Sequence, residues 1–306
     1  MAFTAQDVKA LREKTGVGMM DCKKALVETD GDIEKAIDIL REKGLASAAK
    51  KASRVAAEGV VAAYSDANAG ALVEINCETD FVAKGEPFVN LAAKVVKTVV
   101  ATKPADVEAL LATKAVDSDR TVDEEVQEVF LALRENMKVR RFALVEGHTS
   151  TYIHAGGTVG VLVAFDVDDA TAANPEFDVM GKNVAMQIAA MNPSYLDEAS
   201  VPAEVIAKEK EILIAQMKED PKMANKPDAV LGKIVEGKIG KYYKENCLVE
   251  QQYVIDGDLT VGKYIANTAK ELGADIKLVS FVRFEKGEGL EKRVDDFAAE
   301  VAAMAK

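Results

Sequence analysis

No stretch of this chain approaches the roughly 18–20 consecutive apolar residues that a bilayer span requires. A membrane-embedded role is therefore not expected. The first residues, Met-Ala-Phe-Thr-Ala-Gln-Asp, lack a basic region followed by an apolar stretch, so no secretory leader is expected either. Cysteine is scarce: Cys22, Cys77 and Cys247 are odd in number and far apart. That usage excludes a disulfide framework and the paired spacing of a zinc site, and it fits reduced thiols in a cytoplasmic protein. Basic residues are outnumbered, 39 against 51 acids, for a net charge of −12. Neutralising phosphates needs the opposite balance, so a protein partner is expected in place of direct nucleic-acid binding. The one dense basic group, Lys50, Lys51 and Arg54, lies in an alanine-rich connector and reads as a solvated helix face.

Motifs of catalysis are missing too. No Gly-x-x-x-x-Gly-Lys-Ser/Thr occurs, and Gly157-Thr-Val-Gly160 precedes a strand where a phosphate cradle would open a helix. There is no nucleophile elbow, no Cys/His pair and no His-Glu-x-x-His, hence no catalytic set and no expected cofactor. His148 and His154 are the only histidines. A hairpin turn supported by Gly156-Gly157 accounts for His154 without a ligand.

What remains is a 306-residue chain, 49% hydrophobic and 29% charged, long enough for two or three domains. Residues 1–54 read as a three-helix unit. Thr4 and Asp7 have capping-box spacing, Phe3 and Val8 that of a hydrophobic staple, and Gly16 ends the first helix. After the Gly16-Val17-Gly18 turn, Asp21 is expected to cap helix two. Gly31-Asp32 starts helix three, with Ile33, Ala36, Ile37 and Leu40 on one face and Gly44 as its stop. Leu45 to Ala57 reads as a helical linker.

The middle of the chain repeats itself. Glu58-Gly59 opens a stretch with Tyr64, Gly70 and Leu72-Val73; Glu146-Gly147 opens another with Tyr152, Gly160 and Leu162-Val163. Each leads to an acidic turn, a phenylalanine (Phe88 or Phe177) and an alanine-rich helix ending at Lys103-Pro104 or Asn192-Pro193. Third strands are expected over 139–145 and 276–284. The fold class is thus α+β: two similar half-domains, 55–145 and 146–285, each with helices on one face of an antiparallel sheet. An insertion near 198–244 has the periodicity of a helical hairpin, from Val205-Ile206, Leu213 and Met217 to Val230, Ile234-Val235 and Ile239. In the last part, 286–306, Leu290, Val294, Phe297, Val301 and Met304 form one apolar stripe on an expected C-terminal helix.

The halves differ at the strand-to-helix junction. The first carries Cys77-Glu-Thr-Asp-Phe-Val-Ala-Lys84; the second carries Asp166-Val-Asp-Asp-Ala-Thr-Ala-Ala173, small and polar. Taken alone, Thr79-Asp80-Phe81-Val82 reads as a helix start, with Thr79 or Asp80 as N-cap and Phe81 buried. In its setting, however, it closely resembles the signature of the bacterial translation elongation factor Ts family. Thr15-Gly-Val-Gly-Met-Met-Asp-Cys-Lys-Lys-Ala-Leu26 is a second stretch similar to that family, which begins with a ubiquitin-associated-like three-helix domain. The similarity spans most of the chain and departs over Thr102–Arg134.

The resemblance implies a guanine-nucleotide exchange factor for the GTPase elongation factor Tu, acting by binding and not as an enzyme. It makes Thr79, Asp80, Phe81 and Val82 the contact that dislocates the GTPase's Mg2+, with Phe81 exposed as a wedge. It also places Met19, Met20, Lys23 and His154 near the partner. Oligomeric state, a homodimer included, stays open. Two other readings are kept: an adaptor that binds through residues 1–54 alone, and a metal-dependent enzyme using Glu78, Asp80 and His154.

Overall fold

A computed structural model of the chain describes residues 3–219 and 227–291. It opens with three helices, α1 (Ala5–Thr15), α2 (Met19–Glu28) and α3 (Ile33–Lys51). Thr4 caps α1 in a reciprocal capping box with Asp7, and Gly16 ends it in the left-handed region at φ 67°. Two local expectations change. The Gly18 carbonyl already accepts the N–H groups of Asp21 and Cys22, at 3.0 and 3.1 Å, so α2 starts at Met19 and Asp21 lies in its first turn instead of capping it. Asp32 caps α3 as its sequence suggests, but the helix does not stop at Gly44 and continues to Lys51. Val8, Leu11, Cys22, Ala25, Leu26, Ala36 and Leu40 form the buried seam of these helices, with Phe3 packed against it.

Two matching units follow. The first has β1 (Glu58–Ser65), β2 (Ala69–Cys77), the one-turn helix α4 (Asp80–Ala83), α5 (Glu86–Thr102), α6 (Val107–Ala112), α7 (Val122–Leu133) and β3 (Lys138–Glu146). The second has β4 (His148–His154), β5 (Val159–Asp166), the one-turn helix α8 (Asp169–Ala172), α9 (Pro175–Met191), α10 (Ala203–Glu219), α11 (Asp228–Asn246), α12 (Val261–Leu272) and β6 (Lys277–Glu285). Each unit makes an antiparallel three-stranded sheet, β1-β2-β3 and β4-β5-β6, with the hairpin strand in the middle. The long helices α5 and α9 end alike, on Lys103 and Asn192 in the left-handed region, one residue before a proline. Proline cannot continue a helix and disfavours helical geometry in the residue before it, which fixes both stops.

The layers explain the apolar run in β2. All nine of its residues are buried. Alternate side chains point to opposite faces of a strand. Ala71, Val73, Ile75 and Cys77 face Phe88, Leu91, Val95 and Val99 of α5. Leu72 instead meets Val61, Leu162 and Phe284 in a small cluster shared by the two sheets. The sheets thus lie face to face with their helices outside, and a β-carbon on Gly160 would fall 2.4 Å from Val61 Cγ1. In the second unit, Phe165, Phe177, Met180, Val184 and Ile188 form the equivalent helix-on-sheet core.

The inserted α10 and α11 bury Met217, Leu231, Val235 and Ile239 against each other, as a hairpin seam should. Beyond Leu290, the expected C-terminal stripe lies outside the described residues. Among the described residues, no helix is long and apolar enough to cross a membrane.

Candidate partner-binding site

β2 delivers the chain to the junction through Cys77, whose thiol donates to the Thr79 carbonyl at 3.2 Å. Thr79 is extended and caps α4: its hydroxyl oxygen accepts the Val82 N–H at 3.3 Å. Successive helix residues are 100° apart, so one turn cannot hide every side chain. Val82 and Ala83 go into the core, and Phe81 is sent outward with 84% of its surface exposed. Gly85 N–H closes the turn on the Val82 carbonyl at 2.9 Å, and α5 begins at Glu86. Asp80 pairs with Lys84 at 2.6 Å; hydrogen bonding and charge from Lys84 hold its carboxyl below the ordinary value. Burial pushes the Cys77 thiol up to about 12, so it stays protonated beneath the turn.

A bracket from the segment leading into β3, the strand that pairs with β2 at Asn76–Lys138, braces this turn. The Glu135 carboxylate accepts both the backbone N–H of Thr79 at 3.0 Å and its hydroxyl at 2.7 Å. Beside it, Asn136 N–H donates to Glu78 at 2.7 Å, and the Asn136 amide donates to the Arg54 carbonyl at 2.8 Å. Arg54 returns a guanidinium contact to Glu78 at 3.3 Å. Arg134, left-handed at φ 60°, ends α7 and turns its side chain to Asp21 of α2 at 3.3 Å, while its carbonyl accepts from Lys51. Sequence reasoning missed Glu135, Asn136 and Arg54. They stand 56 residues or more, or in Arg54's case 24, from the groups they hold, and no local pattern marks them.

The second unit builds the same turn without the ring. Asp168 caps α8 by accepting the N–H groups of Ala170 and Thr171, Asp169 stands 3.0 Å from His148, and Ala170 takes the place of Phe81.

Among the residues singled out by sequence, Thr79, Asp80 and Phe81 are exposed together, and Val82 is their buried anchor. Met19 and Met20 are exposed on the first turn of α2, with Lys23 exposed beyond them. Asp21 ties that turn to Arg134, next to the residue that holds Thr79. His154 is exposed at the end of β4 with Nδ1 3.1 Å from the Tyr152 hydroxyl. Glu78 is engaged by Arg54 and Asn136, and among the described residues no group of three or more His, Cys, Asp or Glu side chains could hold a metal ion.

Comparison with known proteins agrees with this frame. The family model described as Elongation factor TS matches residues 78–288. A curated relative named Elongation factor Ts from Syntrophotalea carbinolica is 50% identical over 309 aligned residues, covering 100% of both chains. One of the same name from Clostridium perfringens is 50% identical over 99% of each chain, and one from Clostridium botulinum is 49% identical over 98% of this chain and 97% of its own. On this breadth of similarity, around a junction that carries Thr79-Asp80-Phe81-Val82, the chain belongs to the elongation factor Ts family.

Proposed function

We propose that this translation elongation factor acts as a guanine-nucleotide exchange factor: it binds GDP-bound elongation factor Tu, disturbs the Mg2+ and phosphate site, and promotes GDP release. The observation that carries this reading is the exposure of Phe81, 84%, on a turn anchored by Val82 beneath it. A ring with so much of its surface in water contributes little burial energy to its own fold. Its value lies in what it enters. Phe81 inserts into an apolar seam of the GTPase, and Asp80, kept ionised beside Lys84, competes for polar contacts near the metal.

Exchange is a coupling between two ligands. The factor binds the nucleotide-free GTPase better than the loaded one, and nucleotide expels the factor by the same ratio. Inverting a 1:99 preference takes about 5.5 kcal/mol of differential binding. Burying one phenylalanine supplies about 1.5–3 kcal/mol. A wider grip must hold the ring in place. The parts proposed for it are the three-helix unit (1–54) with Met19, Met20 and Lys23, the half-domains 55–145 and 146–285 with His154 on the second, and the 286–306 module. Gripped from several sides, the GTPase is strained around its phosphates while the wedge enters.

Stopped-flow release of a fluorescent GDP from elongation factor Tu tests this. Phe81→Ala is expected to lower the catalysed rate about tenfold or more, the equivalent of one lost ring contact, with complex formation partly retained. The variant should melt where the parent does, because the ring is hardly used internally. An unchanged release rate overturns the reading.

A further inference from the structure

The wedge sits on a helix of a single turn, and a single turn has little stability of its own. Its four residues cannot fix the direction of Phe81 unless something outside the turn does so. Lys84 contributes through Asp80, but that pair is solvent-exposed and spans four residues of the turn itself. Val82 and Ala83 supply the apolar anchor from below. The Cys77 thiol holds the Thr79 carbonyl from the strand side, and the Thr79 N–H and hydroxyl are held from the segment Arg134-Glu135-Asn136, between α7 and β3.

We infer that Glu135 is the positioning residue of the wedge, and that Arg134-Glu135-Asn136 couples the wedge to the N-terminal helices. The geometry is specific. Both Glu135 oxygens are used on one residue, Thr79: one on its backbone N–H and one on its hydroxyl, at 3.0 and 2.7 Å. These are charge-assisted bonds, roughly twice as strong as neutral ones. They fix the N-cap at both its main chain and its side chain, while the Thr79 hydroxyl oxygen still accepts the Val82 N–H. The cap's orientation sets the azimuth of the next two residues, Asp80 and Phe81. On either side, Arg134 reaches Asp21 and Lys51 of the three-helix unit, and Asn136 reaches Glu78, Ala52 and Arg54. Three consecutive residues therefore join α2, the end of α3, the connector and the wedge. The equivalent turn α8 of the second unit has no ring to aim, and the carboxylate of its cap Asp168 bonds within its own segment, to Ala170 and Thr171.

This inference rests on the exchange reading above, and the experiment separates the two. Nucleotide release from elongation factor Tu is measured with the full chain across factor concentration, for Glu135→Ala, Glu135→Gln, Phe81→Ala and the double variant Phe81→Ala/Glu135→Ala. Each variant's melting temperature is recorded beside it. Glu135→Ala is expected to lower the maximal rate about tenfold or more, the scale of losing hydrogen bonds to a charged group, with little change in the half-saturating concentration. A merely structural loss would move the melting temperature or the half-saturating concentration instead. Glu135→Gln should recover part of the rate, since its amide can still accept from the Thr79 N–H and donate to the hydroxyl oxygen. In the Phe81→Ala background, Glu135→Ala should cost nothing further, because residues acting through one another are not additive. If Phe81→Ala lowers the rate and Glu135→Ala does not, or if the two losses add, Glu135 does not aim the ring and only this inference fails. If Phe81→Ala itself leaves the rate unchanged, the exchange reading fails first.

Discussion

Leu131 of α7 occupies the place where a side chain at Gly44 of α3 would begin: a β-carbon there would lie 1.9 Å from Leu131 Cδ2 and 3.1 Å from its Cγ. Leu131 is itself buried, in the seam of the first three helices. The two helices therefore meet backbone against side chain, and the segment between Thr102 and Arg134 docks on the N-terminal unit at this point.

Gly44→Val should push Leu131 off its seat and destabilise the chain by about 1–3 kcal/mol, the usual cost of overpacking. Gly44→Ala should cost less, because alanine's better helix propensity returns about 1 kcal/mol. Urea midpoints measure both. The double variant Gly44→Val/Leu131→Ala should be less destabilised than the sum of the single changes, since the valine fills the space the leucine leaves. Additive losses would mean that the two side chains do not compete for one volume.

Cys22, Cys77 and Cys247 are all buried and unpaired. Burial raises each thiol, Cys77 to about 12 and Cys247 to about 11. The thiolate is the reactive form, so the native chain should be silent to a disulfide reagent at pH 8. Adding urea should release three thiol equivalents, matching the three cysteines of the chain. A prompt equivalent from the native protein would place at least one sulfur at the surface.

Much of the frame was legible because it is written in local periodicity. Phe88, Leu91, Val95 and Val99 recur at helical steps, the β2 run is continuously apolar, and the two units repeat the same punctuation down to Lys103-Pro104 and Asn192-Pro193. Gly44 misled for a physical reason: a glycine that ends a helix and one that lets a neighbour approach look alike until the neighbour is known. Asp21 resembled a cap, but the Gly18 carbonyl had already started the helix. Phe81 shows the limit most clearly. Its residues alone suggested a buried helix start, and only the family resemblance argued for an exposed ring, which is where the structure places it. Glu135 gave no signal, because its partner Thr79 is 56 residues away and both sit in short polar junctions.

Glu74 is a fully buried carboxylate in the middle of β2, and it makes the stability of this chain depend on acid. Burial by itself would raise its pKa. The Gly287 N–H at 2.8 Å, Arg140 at 2.9 Å, Asn76 at 3.1 Å and Arg141 at 2.6 Å outweigh that and hold the carboxyl below its ordinary value. The sign follows from the direction. A carboxyl whose folded pKa lies below its unfolded one stabilises the fold at pH above the unfolded value, about 4.3, and that stability disappears as pH falls through the folded value. Glu74→Gln should therefore cost about 1.5–3 kcal/mol at pH 7, the worth of hydrogen bonds to a charged group. The figure stays below the cost of stranding a fully buried charge, because Arg140 and Arg141 keep 23% and 30% of their side-chain surface in water. Urea unfolding of parent and variant between pH 7 and pH 3 reads the gap directly: it should be widest at neutral pH and narrow below about pH 4. A gap independent of pH would mean that folding leaves the Glu74 pKa where the unfolded chain has it, and that the bonds to Arg140, Arg141, Asn76 and Gly287 do no more than offset its burial.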